Sequence, residues 1–341
     1  MTSRHFDKSA LRNSALITLV LATMALLAAA CGSTSDTVPP NASAPPVMPA
    51  GAHIVHPALT PSGGSTCGDP TASIPPPSIL PAIGHMPGGT WMARVEQRGF
   101  LTAGVDQNTY LWGYLDPQTG QYSGFDIDML RQVSQAIFGS PNRIHFVVVP
   151  TAQRARAVED GSVDVVAETM TINCDRERSV DFSTVYYQAG QEILVPSNST
   201  ITGTGGLAGR RVCATDGSTS LVNLAALRLS PPPVLWSVPS DTDCLVMLQQ
   251  GQVDAISTDN VILQGLRAQD PNTVIVGPAF TPEPYGMAIS KAHPEFTSFV
   301  NGVLARERAD GTWTAVYKRW LGPVTSGPTP QPPPANYRPA P

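Results

Sequence analysis

The sequence predicts an α/β fold made of two similar lobes, and two observations lead to this prediction. Strand-like and helix-like segments alternate through the middle of the 341-residue chain, which is the pattern of sheets that carry helices on both faces. In addition, residues 159–166 and residues 249–256 share one design, in which a helix end is followed by a glycine and then by a strand. A chain of this length can form two domains, and the repeat indicates that both have related architecture.

The individual elements are predicted from hydrophobic periodicity and from turn residues. In residues 124–138, apolar side chains recur at helical spacing and stop at Gly139, a residue type that commonly ends helices. The apolar run at residues 144–149 is typical of a strand that is buried on both faces. Further strands are predicted at residues 100–105, 163–167, 211–214, 234–238 and 253–257, and further helices at residues 151–160, 221–229 and 243–250.

Each copy of the repeat runs into a polar loop. Residues 168–171 follow the first repeated strand, and residues 258–260 follow the second. Ligands of open α/β sheets bind beyond the carboxyl ends of the strands. The two loops therefore predict a polar cleft between two lobes that are joined by a hinge.

The first thirty residues are typical of a secretion signal. Arg4, Lys8 and Arg12 precede an apolar run at residues 16–30, which is too short for a stable membrane span. Small residues stand directly before Cys31, an arrangement similar to a bacterial lipobox, in which the cysteine is lipidated and becomes the mature N-terminus. The alternative is an ordinary cleaved signal with a cysteine near the cut. Either interpretation predicts an extracytoplasmic protein, and the first predicts anchoring to the cell membrane through lipid on Cys31.

Two segments are predicted to lie outside the packed lobes because they are rich in proline. Residues 31–90 combine proline pairs with serine, threonine and glycine, and residues 324–341 have a similar composition. Such sequences favour an extended and partly stiff chain. We therefore expect a tether before the lobes and a proline-rich tail after them.

Charge and motif content argue against nucleic acid, a dinucleotide cofactor and a cysteine-bound metal. The formal net charge is −5 and no basic stripe occurs, whereas nucleic-acid binding needs clustered Lys and Arg. The glycines at residues 203–206 lack the spacing of a dinucleotide loop, and the cysteines lack the CxxC spacing of a metal site. The sequence thus predicts no nucleic-acid partner, no cofactor and no metal.

Cysteine usage also favours an exported protein. Setting Cys31 aside leaves Cys67, Cys174, Cys213 and Cys244, an even number that permits three pairings. Cys213 lies in a predicted strand and Cys244 on a following helix, and such elements can touch. This favours a Cys213–Cys244 disulfide, so that Cys67–Cys174 would pin the tether to the first lobe.

Several segments together match a known family. They are YSGFDID at residues 122–128, GSVDVVAETMTINCDRERSVDFS at residues 161–183 and LAGRRVCATDGSTS at residues 207–220, with DGTW and KRWL within residues 310–321. These segments resemble the bacterial extracytoplasmic amino-acid-binding proteins, solute-binding protein family 3. The resemblance extends over about residues 91–323.

This resemblance implies a two-lobed periplasmic-binding-protein fold (type II, Venus-flytrap), which closes on a free amino acid in the cleft between the lobes. It implies lobe 1 at residues 91–195 plus 281–323, and lobe 2 at residues 196–280. With this resemblance we expect a monomer that presents its closed form to a membrane partner. That partner is either the permease of an ABC importer or a transmembrane sensor.

The resemblance also implies residues for the two charged ends of an amino acid. Arg176 matches the arginine that clamps the α-carboxylate, and a guanidinium fork suits bidentate pairing. Thr171 matches a donor to the same carboxylate. Asp259 matches the aspartate that binds the α-ammonium, helped by the carbonyl of Thr169.

Three further positions complete the implied main-chain site. Ser218 and Thr219 precede a predicted helix, whose free N–H groups can bind an anion, and they match residues that grip the carboxylate from lobe 2. Asp106 matches another polar position on the ligand side. Each residue type also has a purely structural interpretation, since Ser218 could simply cap its helix.

Thr151 and Arg154 resemble the segment with which glutamate- and aspartate-binding members contact the distal carboxylate. A fixed charge near a helix N-terminus would strengthen such a contact, although a surface arginine is the structural alternative. The sequence thus predicts glutamate or aspartate as ligand, with glutamine and asparagine second. A dehydratase on the same fold is the alternative function, and Glu168 would be its general acid.

Overall fold

The structure is a computed structural model that describes residues 47–55, 67–325 and 327–339. The predicted secretion signal, Cys31 and part of the predicted tether lie outside these residues. Among the described helices, none has both the length and the apolar character needed to cross a membrane.

The described residues form nine α-helices and fifteen β-strands. The helices are α1 (Trp91–Arg98), α2 (Phe125–Phe138), α3 (Arg154–Glu159), α4 (Cys174–Glu177), α5 (Thr219–Ala226), α6 (Asp241–Gln249), α7 (Asn260–Gln269), α8 (Pro294–Asp310) and α9 (Thr312–Trp320). The strands are β1 (His53–Val55), β2 (Leu101–Val105), β3 (Asn108–Thr109), β4 (Gly113–Leu115), β5 (Tyr122–Ser123), β6 (Ile144–Val148), β7 (Val165–Val166), β8 (Val180–Phe182), β9 (Tyr187–Pro196), β10 (Arg211–Thr215), β11 (Val234–Val238), β12 (Ala255–Asp259), β13 (Thr273–Val276), β14 (Pro282–Tyr285) and β15 (Ala288–Ser290).

Lobe 1 is built on a five-stranded sheet in the order β6-β2-β7-β15-β8. Its largest core cluster contains Phe125 of α2, Phe296 of α8 and Trp313 of α9. The prediction that residues 144–149 form a strand buried on both faces is wrong, because β6 is the edge strand of this sheet and Val148 is 42% exposed. Edge strands have one neighbour only, so an apolar run does not by itself place a strand at the centre.

Helix α2 shows how local sequence positions an element of lobe 1. Gly124 precedes it with φ 132°, and a Cβ at this position would lie 2.0 Å from the carbonyl oxygen of Trp112. The helix ends at Gly139, which adopts the left-handed conformation. Both positions favour glycine because a side chain makes a backbone with positive φ costly.

Lobe 2 is built on the sheet β1-β11-β10-β12-β9-β13. Strand β10 pairs in parallel with β11 and with β12, whereas β9 runs antiparallel to β12. Apolar clusters cover both faces of the sheet. All five residues of β12 are buried, so the strand that ends in Asp259 is held rigidly by the core of the lobe.

Two neighbouring strands connect the lobes. The first half of β9 pairs antiparallel with β14, from Tyr187 opposite Tyr285 to Gly190 opposite Pro282, and the second half of β9 joins the sheet of lobe 2. The chain therefore leaves lobe 1 near residue 190, a few residues before the expected boundary at 195. A Cβ on Gly190 would lie 2.7 Å from the Cβ of Ala279, which explains the glycine in this crossing.

The proline-rich segments differ from the expected tether and tail, because parts of both pack against the lobes. Strand β1 adds an antiparallel edge to β11 of lobe 2. Within residues 67–90, Ser73 and Met86 are buried, and the Ser73 hydroxyl donates to the carbonyl of Phe182 at 2.6 Å. The tail returns to the same place, where the N–H of Ser73 donates to the carbonyl of Asn336 and the N–H of Arg338 donates to the carbonyl of Ser73. We call residues 67–75 and 336–339 the terminal brace.

Both disulfides join the partners that the sequence analysis favours. Cys213 of β10 and Cys244 of α6 lie 5.6 Å apart between their Cα atoms, inside lobe 2. Cys67 and Cys174 lie 5.5 Å apart and connect the terminal brace to α4. The second disulfide therefore holds the same one-turn helix that carries Arg176.

Candidate functional site

The ends of β7 and β12 face each other across the two lobes, where the sequence repeat predicts a cleft. A cavity of about 20 Å³ lies between them, which is room for little more than one water molecule. An amino acid therefore enters only if the lobes or their side chains move apart. The cavity is lined from lobe 1 by Thr151, Arg154, Thr169 and Thr171, and from lobe 2 by Thr215, Ser218, Thr219, Ser220, Asp241, Thr258, Asp259 and Ile262.

Arg176 lies beside this cavity on the short helix α4. The side chain of Asn173 caps the helix by accepting a hydrogen bond from the N–H of Arg176 at 2.9 Å. The guanidinium donates to the carbonyl of Thr171 in lobe 1 at 2.7 Å and to the carbonyl of Gly217 in lobe 2 at 3.2 Å. Burial, followed by the positive charge of Arg154, lowers the pKa of Arg176 to about 9, so this side chain remains a cation at neutral pH.

Two threonine hydroxyls from opposite lobes meet on one carboxylate. Oε2 of Glu283 accepts from Thr171 at 2.7 Å and from Thr219 at 2.9 Å. Its other oxygen accepts from Asn223 at 2.9 Å and from Thr281 at 2.8 Å. Glu283 is 1% exposed and belongs to the crossing strand β14, so one buried carboxylate links both lobes and the hinge.

The N-terminus of α5 brings lobe 2 to the cavity. The hydroxyl of Ser218 accepts from the N–H of Leu221 at 3.1 Å and donates to the carbonyl of Thr215 at 2.6 Å, which is the capping role that its sequence position predicts. Gly217 adopts φ 69°, and a Cβ there would lie 2.6 Å from the Cα of Ala152 in lobe 1. A glycine at this position allows the backbones of the two lobes to approach.

Asp259 ends β12 on the opposite wall of the cavity. Its Oδ2 accepts from the hydroxyl of Tyr285 at 2.5 Å, whereas its buried Oδ1 has no hydrogen-bond partner. Burial raises the pKa of Asp259 to about 8, and the negative charge of Glu283 adds to the rise. A buried carboxylate oxygen without a partner is costly, and an ammonium group would supply both the donor and the opposite charge.

Thr169 is held in an uncommon backbone conformation by a buried acid. Its φ is 43°, and its N–H donates to Oδ2 of Asp126 at 2.8 Å. Oδ1 of Asp126 accepts from the hydroxyl of Tyr186 at 2.7 Å. Burial raises the pKa of Asp126 to about 6. Asp126 is therefore a positioning residue for the loop that lines the cavity.

Arg154 is buried, with 4% of its surface exposed, and is not the surface arginine of the structural alternative. Its Nη1 donates to the carbonyl of Glu168 at 2.7 Å, and its Nε donates to the carbonyl of Thr151 at 3.0 Å. These are two of the five N–H groups of a guanidinium. Arg154 thus fixes the loop after β7 and also places positive charge on the cavity wall.

Asp106 is the predicted site residue that fits least well. Both of its oxygens serve its own loop, because Oδ1 accepts from the N–H groups of Gln107 and Asn108 and Oδ2 accepts from the hydroxyl of Thr109. It lines a neighbouring chamber of about 270 Å³ between the lobes rather than the cavity itself. Its carboxylate therefore organises the loop after β2. Asp106 does not line the cavity that contains the other predicted residues.

The structure thus brings seven of the nine predicted ligand residues around one cavity, with Arg176 beside them. Sequence reasoning missed Glu283 and Asp126. Asp126 lies inside the quoted YSGFDID segment, near the start of a helix where an acid is unremarkable. Glu283 stands between two prolines in a segment for which no strand was predicted, so no pattern marked it. Among the described residues no group of three or more His, Cys, Asp or Glu side chains is arranged to hold a metal ion.

Two α/β lobes with a polar cavity between them, an arginine beside the cavity and a carboxylate oxygen without a partner in its wall are the architecture of a solute-binding protein. The chain belongs to the bacterial extracellular solute-binding proteins, family 3, whose sequence model matches residues 101–323. It is 33% identical over 231 residues to the ABC transporter glutamine-binding protein GlnH of Bacillus subtilis, covering 67% of this chain and 84% of that protein. It is 30% identical over 258 residues to the glutamate-binding protein GluB of Corynebacterium glutamicum, covering 71% and 85% respectively.

A solved structure shows the same architecture. The solute receptor for L-cysteine of Neisseria gonorrhoeae has a TM-score of 0.65 to this chain at 26% identity, and the match covers 68% of this chain and 94% of that one. The fold predicted from the sequence is therefore confirmed. The terminal brace lies outside the residues matched by the family model.

Proposed function

We propose that this protein binds a free α-amino acid between its lobes, with the α-carboxylate on Arg176 and the α-ammonium on Asp259. The unpaired Oδ1 of Asp259 is the observation that carries this proposal, because Asp259 lines the cavity between the lobes and this buried oxygen has no donor among the described residues. The hydroxyls of Thr171 and Thr219 both donate to Glu283 in this structure, so each would have to turn away from Glu283 to donate to the ligand. The N-terminus of the eight-residue helix α5 would favour the negative end of the ligand. Closure then follows binding, since each lobe supplies part of the site.

The ligand we propose is a small polar amino acid of the group glutamate, aspartate, glutamine and asparagine. Arg154 supports this group because it adds a donor to the cavity wall next to Thr151. The names of the relatives, which are glutamine- and glutamate-binding proteins, support the same group. The choice between the acids and their amides depends on Glu168.

We further propose that Cys31 carries the lipid that anchors the protein outside the cytoplasm, and that the liganded form delivers its amino acid to the permease of an ABC importer. The apolar run and the small residues before Cys31 support the anchor. The glutamine-binding relative belongs to an ABC transporter by name, which favours delivery over the alternative of signalling to a membrane sensor. Incorporation of labelled palmitate into the wild-type chain and not into Cys31→Ser tests the anchor.

A thermal-shift screen of the full chain against the twenty amino acids tests the binding function. We expect members of the glutamate and glutamine group to raise the melting temperature and to bind in calorimetry with one site per chain. A flat screen, with no amino acid raising the melting temperature, would remove the proposal. Uptake of the labelled ligand by cells with and without the protein then separates delivery from sensing.

A further inference from the structure

Glu168 carries a buried carboxyl oxygen that nothing in the described structure satisfies. The residue follows β7, is 4% exposed and has an Oε2 without a hydrogen-bond partner. Its Oε1 accepts only a long hydrogen bond, 3.4 Å, from the hydroxyl of Thr151. Buried acceptors are normally paired, so this oxygen is placed for a donor that comes from outside the chain.

The surroundings of Glu168 connect it to the ligand cavity. It lines the chamber of about 270 Å³ between the lobes. Thr151 and Asp241 line both this chamber and the cavity beside Asp259. A ligand whose main-chain groups occupy Arg176 and Asp259 can therefore extend its side chain from the cavity towards Glu168.

The charges that face Glu168 are mostly negative. Burial raises the pKa of Glu168 well above its ordinary range; Asp106 and Asp126 raise it further, and Arg154 acts in the opposite direction. Asp241 and Asp243 of α6 line the chamber from lobe 2. A second carboxylate brought next to Glu168 would therefore meet like charges in a partly desolvated site, where two adjacent carboxyl groups cannot both ionise.

Beyond Arg176 and Asp259, which are proposed for the main-chain groups of the ligand, the wall offers a cationic donor, Arg154, and an unpaired acceptor, Glu168. A side-chain amide has one carbonyl oxygen and one NH₂ group, and this pairing complements both wall groups without a net charge. A ligand carboxylate has acceptors only, so it pairs with Arg154 and leaves Glu168 facing another anion. A cationic side chain would satisfy Glu168 but would bring like charge to Arg154.

We propose that Glu168 determines the side-chain specificity of this protein, accepting a hydrogen bond from the amide of glutamine or asparagine and admitting glutamate or aspartate only together with a proton. This inference rests on the proposed amino-acid-binding function. In the acidic complex one proton is shared between the ligand carboxyl group and Glu168, so binding of glutamate takes up a proton from solution whenever Glu168 is ionised beforehand. Binding of glutamine involves no such uptake at this position.

Calorimetry of the full chain with glutamine and with glutamate, between pH 6 and pH 9, tests this proposal. The ratio of the glutamate Kd to the glutamine Kd cancels the contribution of Asp259, which is common to both ligands. We expect the ratio to exceed about ten at a pH at which Glu168 is ionised and to grow as the pH rises further, by up to about tenfold per pH unit. Titrations in two buffers of different ionisation enthalpy should show proton uptake for glutamate in excess of that for glutamine.

Two variants sharpen the test. In Glu168→Gln the side chain keeps its size and loses its charge, so the ratio should fall at least tenfold and become independent of pH. In Glu159→Gln, which changes an exposed glutamate of the same lobe, the ratio should stay at the wild-type value. The buffer titration uses the wild-type chain, so the proposal remains testable if Glu168→Gln does not fold.

The outcomes separate this proposal from the proposed function. Tight binding of both ligands with a ratio that does not depend on pH or on Glu168 overturns the specificity proposal and leaves the binding function standing. Tighter binding of arginine than of glutamine also overturns the specificity proposal alone. No measurable binding of any amino acid overturns the proposed function, and the specificity proposal with it.

Discussion

The two ends of the candidate site are supported in different ways. Asp259 ends β12, a strand buried along its whole length in the sheet of lobe 2. Arg176 belongs to α4, a helix of four residues in the connection between two strands of lobe 1. The proposed ammonium end of the site is therefore part of a lobe core, whereas the proposed carboxylate end is part of a loop.

The carboxylate end is held instead by the two terminal segments of the chain. Cys67 is bonded to Cys174 at the start of α4, and the guanidinium of Arg338 pairs with Glu177 at its end. The partners that the terminal brace contributes, Cys67 and Arg338, lie outside the residues of the family match. Arg176 lies on a short helix in a loop and depends on contacts from the terminal brace, whereas Asp259 is supported by the strand that carries it. We therefore expect the loss of brace contacts to weaken ligand binding.

Replacing Asp259 with Asn should have the largest effect. The substitution removes the charge opposite the ligand ammonium, and breaking one half of a buried ion pair costs about 2–5 kcal/mol, which weakens binding by about 30-fold or more. Calorimetry measures the loss, and Asp270→Asn, at a partly exposed position of lobe 2, is the control. The ligand-free variant should melt no lower than the wild type, because a costly buried carboxyl has been removed. An affinity within twofold of the wild type would show that Asp259 does not face the ligand.

The pH dependence of binding should distinguish the two ends. With a pKa of about 8, Asp259 holds a proton below pH 8 that must leave when the ammonium binds. Affinity for glutamine should therefore fall as the pH drops below 8, by up to about tenfold per unit. Arg176, with a pKa of about 9, stays charged throughout. The profile should be flat in Asp259→Asn, and a wild-type profile that is flat from pH 6 to pH 8 would contradict this assignment.

The same shift also predicts how stability changes with pH. The pKa of Asp259 is higher in the folded protein than the ordinary value of about 3.9, so its contribution is most favourable at acidic pH and is lost as the pH rises towards 8. Thermal denaturation of the ligand-free protein should show a melting temperature that decreases over this range, and less steeply in Asp259→Asn. If the melting temperature fell equally steeply with pH in both proteins, the pKa of Asp259 would not be raised to about 8.

Removing each disulfide in turn should distinguish an effect on ligand affinity from an effect on the stability of a lobe. Loss of a native disulfide typically costs 2–5 kcal/mol of stability, and we expect a loss of this order for both Cys67→Ser/Cys174→Ser and Cys213→Ser/Cys244→Ser. Only the first pair should also weaken binding, by about five- to tenfold, because only Cys174 lies on the helix of Arg176. Calorimetry and denaturant unfolding measure the two effects. Equal affinities in the two double variants would show that α4 does not need the brace.

Arg338→Ala should have the smallest effect. Its side chain is 40% exposed, and partly exposed ion pairs contribute about 0.2–1 kcal/mol, so we expect a two- to fourfold loss of affinity with little change in melting temperature. Arg338→Lys should recover part of the loss because it restores the charge. Arg319→Ala, which removes another partly exposed ion pair of lobe 1, should leave affinity unchanged. If Arg319→Ala lowered the affinity for the ligand as much as Arg338→Ala, the effect of Arg338 would not be specific to the terminal brace.

The sequence predicts the repeated strand-and-loop design well because apolar periodicity and glycines are local signals. It also brings Arg176, Thr171 and Asp259 to one site through a family pattern. It predicts the Cys67–Cys174 link but not the rest of the terminal brace, because proline-rich composition is typical of unpacked chain while the packing of Ser73 depends on distant partners. It also misses Glu283, because the role of this carboxylate depends on hydroxyls of Thr171 and Thr219 that are distant in sequence.

The orientation of a bound amino acid is the most direct test of the account. A crystal structure of the protein with glutamine bound should show the ligand carboxylate within hydrogen-bond distance of the Arg176 guanidinium and the ammonium within the same distance of Oδ1 of Asp259. Glutamine in the reverse orientation, or at a place away from the cleft between the lobes, would contradict it.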